Sequence, residues 1–214
     1  MAITTKTDIC NVALSLIGDE ALQLSAVDTD GTKAARQCLL HYDQTLNELV
    51  RMHVWNCCIN RDQLTTAAYA EHGWDYSVAL PSGCIRPLVL ADSDTSFRYF
   101  AYNTEWVVES GYILTNCEDP YLTFTKIPAI ATMDSLFLQC FYTLLASKIS
   151  IALVTKGREL RNQYLEEFNK VLMPEARRVD AFEGNEEEPI ESEWLAASYG
   201  VGSSHGTRYM FPWY

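Results

Sequence analysis

The closest match to a catalytic motif lies near the C-terminus, where Gly202-Ser203-Ser204-His205-Gly206 fits the pattern Gly-x-Ser-x-Gly. In α/β-hydrolases this pattern holds a nucleophilic serine on a sharp turn between a strand and a helix, with an acid and a histidine downstream. No strand or helix pattern flanks Ser204, and no acidic residue follows it. We therefore interpret the segment as a Gly/Ser linker.

Other residue types that serve catalysis or metal binding are not spaced for either role. The four histidines form neither an HExxH motif nor a pair on one helix face; they are His41, His53, His72 and His205. Glu186, Glu187 and Glu188 lie in an irregular segment, whereas glycosidases fix two carboxylates across a cleft and calcium loops space their ligands on a turn. The sequence thus predicts a protein that is not an enzyme and has no catalytic residue, cofactor or metal.

The cysteines, the N-terminal residues and the overall composition indicate in which compartment the protein folds and which partners it is suited to. The seven cysteines are an odd number without a CxxC pair, so we expect small buried hydrophobes in a reducing cytoplasm. Residues 1–7 are polar and do not resemble a secretory signal peptide. Apolar residues make up 48% of the chain, enough for a core, while the net charge of −12 argues against a protein that grips DNA.

Two amphipathic helices are predicted in the first 54 residues from 3.6-residue periodicity. The first follows a capping box at Thr5 and Asp8 and ends before Gly18. The second runs from about 32 to 53, with Asp30 as its N-cap.

Two more helices are predicted after residue 128. The third spans about 133–155, with Thr132 or Asp134 as cap, and we interpret it as the central helix of a soluble fold rather than a membrane span. The fourth runs from 158 to about 182, and Pro174 should kink or interrupt it. Because the link near Gly157 is short, these two helices should pack antiparallel.

The middle of the chain favours strands. It is rich in β-branched and aromatic residues, and strands are predicted near 74–80, 84–91, 97–102, 105–109, 112–115 and 121–126. Glu105 to Ile113 reads as a hairpin around Ser110-Gly111. The predicted class is α+β: an antiparallel helical bundle (1–54 and 129–182) with an inserted antiparallel β-region (55–128) and an extended C-terminal arm (183–214).

The predicted arm has no regular period. Six glutamates occur between 183 and 193, and four of the last six residues are aromatic. Exposed on a monomer, these aromatics would favour aggregation, so we expect them to bind a pocket on a partner or a neighbouring copy. The predicted partner-binding residues are Trp194, Tyr199, Tyr209, Met210, Phe211, Pro212, Trp213 and Tyr214.

Short motifs follow one another in a recognisable order over residues 5–183. They begin in the first two helices, continue through a His-Val-Trp-Asn segment and a Gly-Trp-Asp-Tyr segment, and end in the last helix. They are Ile9-Cys10-Asn11, Ala13-Leu14, Ile17-Gly18, Ala35, Cys38, Tyr42-Asp43, Leu49, His53-Val54-Trp55-Asn56, Arg61, Leu64, Gly73-Trp74-Asp75-Tyr76, Leu80-Pro81, Cys84-Ile85-Arg86, Pro128, Phe137, Leu144 to Ala146, Glu159-Leu160, Tyr164 and Asp180-Ala181.

This order resembles the tail tubular protein A family, the head-to-tail adaptors of short-tailed bacteriophages (podoviruses), with Val54 in place of a proline. The resemblance implies a structural virion protein made in the host cytoplasm and located in the neck of the virion. It implies a ring, typically a dodecamer, whose C-terminal helix and arm engage the portal protein. Its β-region would face the tail nozzle, a tail tubular protein B-like partner.

The resemblance also implies that double-stranded DNA passes through the ring without sequence-specific binding during ejection, and that no membrane is a partner. A negative channel wall would repel phosphates. Two alternatives stay open: a tail-associated peptidoglycan hydrolase, which needs two convergent carboxylates or a metal, and a cellular scaffold protein unrelated to phage.

Overall fold

The computed structural model describes residues 3–18, 23–65, 73–92 and 104–183. Within these ranges the protein mixes helices with two small antiparallel sheets, and the strands lie between the helices in the chain. The helical part comprises α1 (Lys6–Leu16), α2 (Lys33–Met52), α3 (Ser135–Leu153), α4 (Gly157–Glu167) and α5 (Met173–Glu183). The β part comprises β1 (Ile59–Gln63), β2 (Tyr76–Ala79), β3 (Cys84–Ala91), β4 (Trp106–Glu109), β5 (Tyr112–Thr115) and β6 (Tyr121–Lys126).

Side-chain caps define where three of the helices begin. The predicted capping box at α1 is confirmed: Asp8 N donates to Thr5 Oγ1 over 3.2 Å, and Thr5 N donates to the Asp8 carboxylate over 2.9 Å. Asp134 caps α3. The prediction that Asp30 caps α2 is wrong, because Thr32 is the N-cap and Asp30 accepts from Thr32 N in an Asx turn just before it.

Helix α3 is the centre of the helical part. It contacts α1, α2, α4 and α5, and aromatic side chains fill the space between them. The Tyr42 and Phe141 rings meet edge to face with centroids 5.0 Å apart. By length and composition alone α3 could cross a membrane. Its packing against four helices favours the predicted interpretation as an interior helix.

The turn between α3 and α4 depends on a glycine. A Cβ atom on Gly157 would overlap the backbone carbonyl of Ser150. The Ser150 hydroxyl lies within hydrogen-bonding distance of the carbonyl oxygens of Ser147 and Gly157, at 2.9 and 3.0 Å. The absence of a side chain at Gly157 therefore lets the start of α4 approach the end of α3.

The sequence predicted a kink or an interruption at Pro174, and the regular α-helix is indeed interrupted just before this residue, although the chain stays helical. A π-helical segment, Phe168–Leu172, joins α4 to α5, and Met173 N donates to Phe168 O across five residues. Proline lacks an N–H and its ring clashes with the carbonyl four residues earlier. The wider π turn gives that ring room, so the chain stays helical from Gly157 to Glu183.

Six strands form the two sheets of the β part, in the orders β1-β6-β3 and β2-β5-β4, and every pairing is antiparallel. The β4–β5 hairpin confirms the predicted turn: Ser110 and Gly111 both have positive φ, at 50° and 86°. Residues from both sheets share one buried cluster: Leu64, Val78, Leu90, Ile113, Leu122 and Phe124.

The structure also bears on the strands predicted in the middle of the chain and on the arm predicted at its end. Strand β1 was not predicted, and the strand predicted near 97–102 lies outside the described residues. Glu183, the first residue of the predicted arm, is the last residue of α5. The other residues of the predicted arm, 184–214, also lie outside the described ranges.

Candidate functional site

Two segments that carry the family resemblance, 53–56 and 180–181, lie far apart in the sequence and meet in the structure. The first leads out of α2 into the β part, and the second lies in the last turn of α5. His53, Asn56, Arg177 and Asp180 join them through hydrogen bonds. We call this cluster the Asp180 junction.

Asp180 is the centre of the junction. Its two carboxylate oxygens each have one partner: His53 Nε2 lies 3.0 Å from Oδ2, and Asn56 N donates to Oδ1 over 3.0 Å. The Asn56 side-chain amide donates to the Asp180 backbone oxygen over 2.6 Å. Arg177 donates to the carbonyl oxygen of Met52 over 3.0 Å. The last turn of α5 is thus bound to the chain that leaves α2.

Trp55 anchors the segment that leaves α2 to the core. Its indole N–H donates to Leu49 O over 2.9 Å, and its ring is only 1% exposed. The ring packs edge to face on Phe137 of α3 and on His53, with centroid separations of 5.2 and 4.9 Å. The direction of the chain after α2 is therefore set by packing against the core, and His53 is held where it meets Asp180.

The junction contains a histidine–carboxylate pair and a nearby thiol, which is the composition of a nucleophilic triad. A hydrogen bond from Cys58 lowers the pKa of Cys57 to about 7. A triad requires the base to hydrogen-bond the nucleophile. The Cys57 sulfur instead lies 3.9 Å from Cys58 Sγ, and none of the hydrogen bonds among the described residues joins it to His53. These contacts give Asp180 a positioning role.

Asn11, another polar residue that contributes to the resemblance, also forms hydrogen bonds with backbone groups of a distant segment. The Asn11 side chain donates to Leu24 O over 3.0 Å and accepts from Leu24 N over 2.8 Å. Those bonds tie α1 to the chain that approaches α2. Asn11, Asn56 and Asp180 thus share one property, which is that each satisfies the backbone of a distant segment.

The structure describes some of the residues that the sequence analysis named one by one, and others lie outside the described ranges. His41 is half-buried, and His53 is the C-cap residue of α2 as well as a partner of Asp180. Of the cysteines, four are buried and three half-buried, and all are free thiols. His72, His205 and the eight predicted partner-binding residues from Trp194 to Tyr214 lie outside the described residues.

Cavities of about 290, 380 and 500 Å³ open on the described surface, and each of these is lined by at most one carboxylate. Within the described ranges, His, Cys, Asp and Glu side chains nowhere form a group of three that could hold a metal.

Sequence reasoning named the two segments of the junction but not their contact. Its only signal was that both segments belong to the resemblance. Neither a protein-family model nor a curated protein matches the chain.

Proposed function

We propose that the protein is a structural head-to-tail adaptor of a short-tailed phage, which forms a ring between the portal and the tail nozzle and surrounds the DNA ejection channel. The proposal includes the finer architecture: an antiparallel bundle from 1–54 and 129–182, an inserted β-region from 55–128 and a C-terminal arm. The order of motifs over residues 5–183 supports this assignment.

The Asp180 junction is the observation that carries the proposal. Residues separated by 127 positions, both part of the resemblance, form one hydrogen-bonded cluster at the root of the C-terminal segment. A subunit that engages a portal through its last helix and arm needs a fixed orientation at that root. Asp180, Asn56 and His53 supply such an orientation.

Exposed apolar side chains beside this root also support a partner contact. Phe182, in the last turn of α5, is 74% exposed, and Arg178 lies over its ring with its guanidinium carbon 5.9 Å from the ring centroid. Aromatic and arginine side chains are the residue types most often found at binding hot spots. We assign this end of the molecule to the portal.

A second apolar surface lies on the β4–β5 hairpin, in the other half of the molecule. Val107, Val108 and Tyr112 are 38%, 40% and 48% exposed, and β4 is an edge strand among the described strands. An edge strand with exposed apolar side chains favours pairing or packing with another chain. We assign this surface to the tail nozzle.

Native mass measurement of the protein mixed with the portal of the same phage tests the proposal. Twelve copies of the 24.2 kDa chain would add about 290 kDa to the portal. A mixture in which the protein stays monomeric and the portal gains no mass would contradict the adaptor assignment.

A variant lacking residues 209–214 examines the role of the aromatic end. Portal binding should weaken while thermal unfolding stays unchanged. A length-matched control replaces Tyr209, Phe211, Trp213 and Tyr214 by serine and should weaken binding equally, because side chains rather than length supply the contact. The hydrolase alternative has its own readout: release of soluble fragments from purified peptidoglycan would support it and oppose our proposal.

A further inference from the structure

A groove beside the C-terminal end of α3 carries positive charge, although the chain has a net charge of −12. This cavity, about 290 Å³ in volume, lies between α2, α3 and α4 and is lined by His41, Gln44, Lys148, Ile151 and Arg161. No carboxylate is among these lining side chains. We call it the basic groove.

Basic residues concentrate in the two segments that form the groove. Residues 33–44 and 148–161 contain six Lys or Arg and two acidic residues, whereas the whole chain contains 16 basic and 28 acidic residues. Lys33 donates to the carbonyl oxygen of Ala152, which brings the start of α2 to the end of α3. The folded chain therefore gathers a local surplus of positive charge at this end.

The charges of the groove are only partly balanced within the described residues. Lys148 forms an ion pair with Glu48 of α2. Arg161 is exposed and has neither an ion-pair nor a hydrogen-bond partner in the part of the chain that the structure describes. Burial, followed by the adjacent Lys148 ammonium, lowers the pKa of His41, which favours the neutral form of this ring. An anionic partner would complement Arg161.

The rim of the groove adds apolar surface. Ile151 is 52% exposed and Leu40 is 66% exposed. Arg36, Leu40 and Gln44 follow one another at four-residue intervals along α2 and so share one face. A ligand that matches this surface carries several negative charges and at least one apolar side chain.

We propose that the basic groove binds the acidic segment Glu186-Glu187-Glu188-Pro189-Ile190 of a neighbouring copy of the chain. Its three consecutive carboxylates complement Arg161 and Arg36, and Ile190 supplies an apolar side chain for Ile151 and Leu40. Pro189 restricts the residue before it to extended conformations, which suits a strand-like ligand in a groove. The inference rests on the ring of the proposed function and names one contact between its subunits.

The reach of the chain favours a neighbouring copy over the same copy. Arg161 and Glu183 are 22 positions apart in a continuous helix, a separation of about 33 Å. Fully extended, Glu186 lies at most about 11 Å and Glu188 at most about 18 Å beyond Glu183. The chain would also have to reverse its direction to return along its own helix. The acidic segment therefore meets the Arg161 of another subunit more readily than its own.

Duplex DNA fits the groove less well than an acidic peptide does. DNA binding by a protein depends on several cations that follow a line of phosphates. The groove has one unpaired arginine in its lining and exposed aliphatic side chains at its rim. An extended peptide that combines carboxylates with an aliphatic residue satisfies both features.

A charge-exchange experiment on the full-length chain tests the contact. One variant carries Arg36→Glu and Arg161→Glu, and a second carries Glu186→Lys, Glu187→Lys and Glu188→Lys. Each alone should weaken subunit association on the portal by about tenfold or more, because like charges then face each other across the interface. The five changes combined in one chain should restore association. The absence of such a rescue would overturn the inference.

The matched control is Arg86→Glu with Lys126→Glu, an identical charge change on exposed residues of the β3–β6 pair. This control should assemble as the wild type does. If the wild type and both charge variants join the portal equally well, the groove contact is wrong and the adaptor proposal stands. If the wild type itself does not join the portal, both proposals fall.

A photo-crosslinking amino acid at Gln44 identifies the occupant directly. When isotopically light and heavy copies are mixed and assembled, the adduct should join Gln44 of one isotope to residues 184–193 of the other. Adducts exclusively within one isotope would show that the segment folds back on its own subunit. Adducts to the portal or to added duplex DNA in place of residues 184–193 would also overturn the inference.

Discussion

The helical part and the β part bury very different amounts of apolar surface. Among the residues that the structure describes, the cluster in the helical part contains 28 buried residues, whereas the cluster shared by the two sheets contains six. Since hydrophobic stabilisation is roughly proportional to the apolar area buried, most of the stability of the described residues resides in the helices. The β part also carries exposed apolar side chains on its hairpin. We infer a rigid helical scaffold and a β part that gains further stability from a partner.

The largest test of this comparison is Phe141→Ala in the helical core. Phe141 is fully buried and packs on Tyr42, so the change should lower the free energy of unfolding by about 3–5 kcal/mol in urea denaturation. Leu40→Ala on the exposed face of α2 is the control and should change it by less than about 0.5 kcal/mol. Similar effects of both substitutions would contradict the central position of α3.

Phe124→Ala makes the corresponding change in the β part. Phe124 is 1% exposed and joins the two sheets, so we expect a loss of about 3 kcal/mol. Hydrogen exchange should accelerate in β1, β3 and β6 while the amides of α3 stay protected. Equal acceleration in α3 would mean that both parts unfold as one unit, and the comparison would be wrong.

Gly157→Ala addresses the close approach inside the helical part. The added methyl group meets the Ser150 carbonyl, so the helices must separate, at a cost of about 1–3 kcal/mol in the free energy of unfolding. Gly31→Ala is the matched control, because a Cβ atom at that glycine meets open space. Thermal unfolding of the two variants side by side measures the difference, and equal melting temperatures would rule out the proposed contact.

Asp180→Asn should have the smallest effect on global stability, about 1–2 kcal/mol, because it weakens two hydrogen bonds but keeps the shape of the side chain. Glu183→Gln, on the same helix, serves as the neutral reference. Hydrogen exchange should show faster opening of the last turn of α5 in Asp180→Asn alone. No local change there would remove the positioning role that we assign to Asp180.

Local signals in the sequence predicted most elements of the fold. The helices, the capping box at Thr5 and the hairpin at Ser110-Gly111 depend on side chains and backbone within a few residues of one another, and so does the cap of α3, which was predicted at Thr132 or Asp134. Strand β1 was not predicted, because its sequence, Ile-Asn-Arg-Asp-Gln, is polar after the first residue and so lacks the apolar pattern of a strand. It becomes a strand by pairing with β6, which lies about 60 positions later in the chain.

The sequence by itself thus determined which segments become helices, the capping box that begins α1, and which turn joins β4 to β5. Only the tertiary structure decided that His53 and Asn56 contact Asp180. It also decided that the Ser150 carbonyl lies close to Gly157, and that Lys148 and Arg161 line the same groove. The physical reason is the range of each interaction. Periodicity and capping act between neighbours along the chain, whereas these contacts join residues that come together when the helices pack.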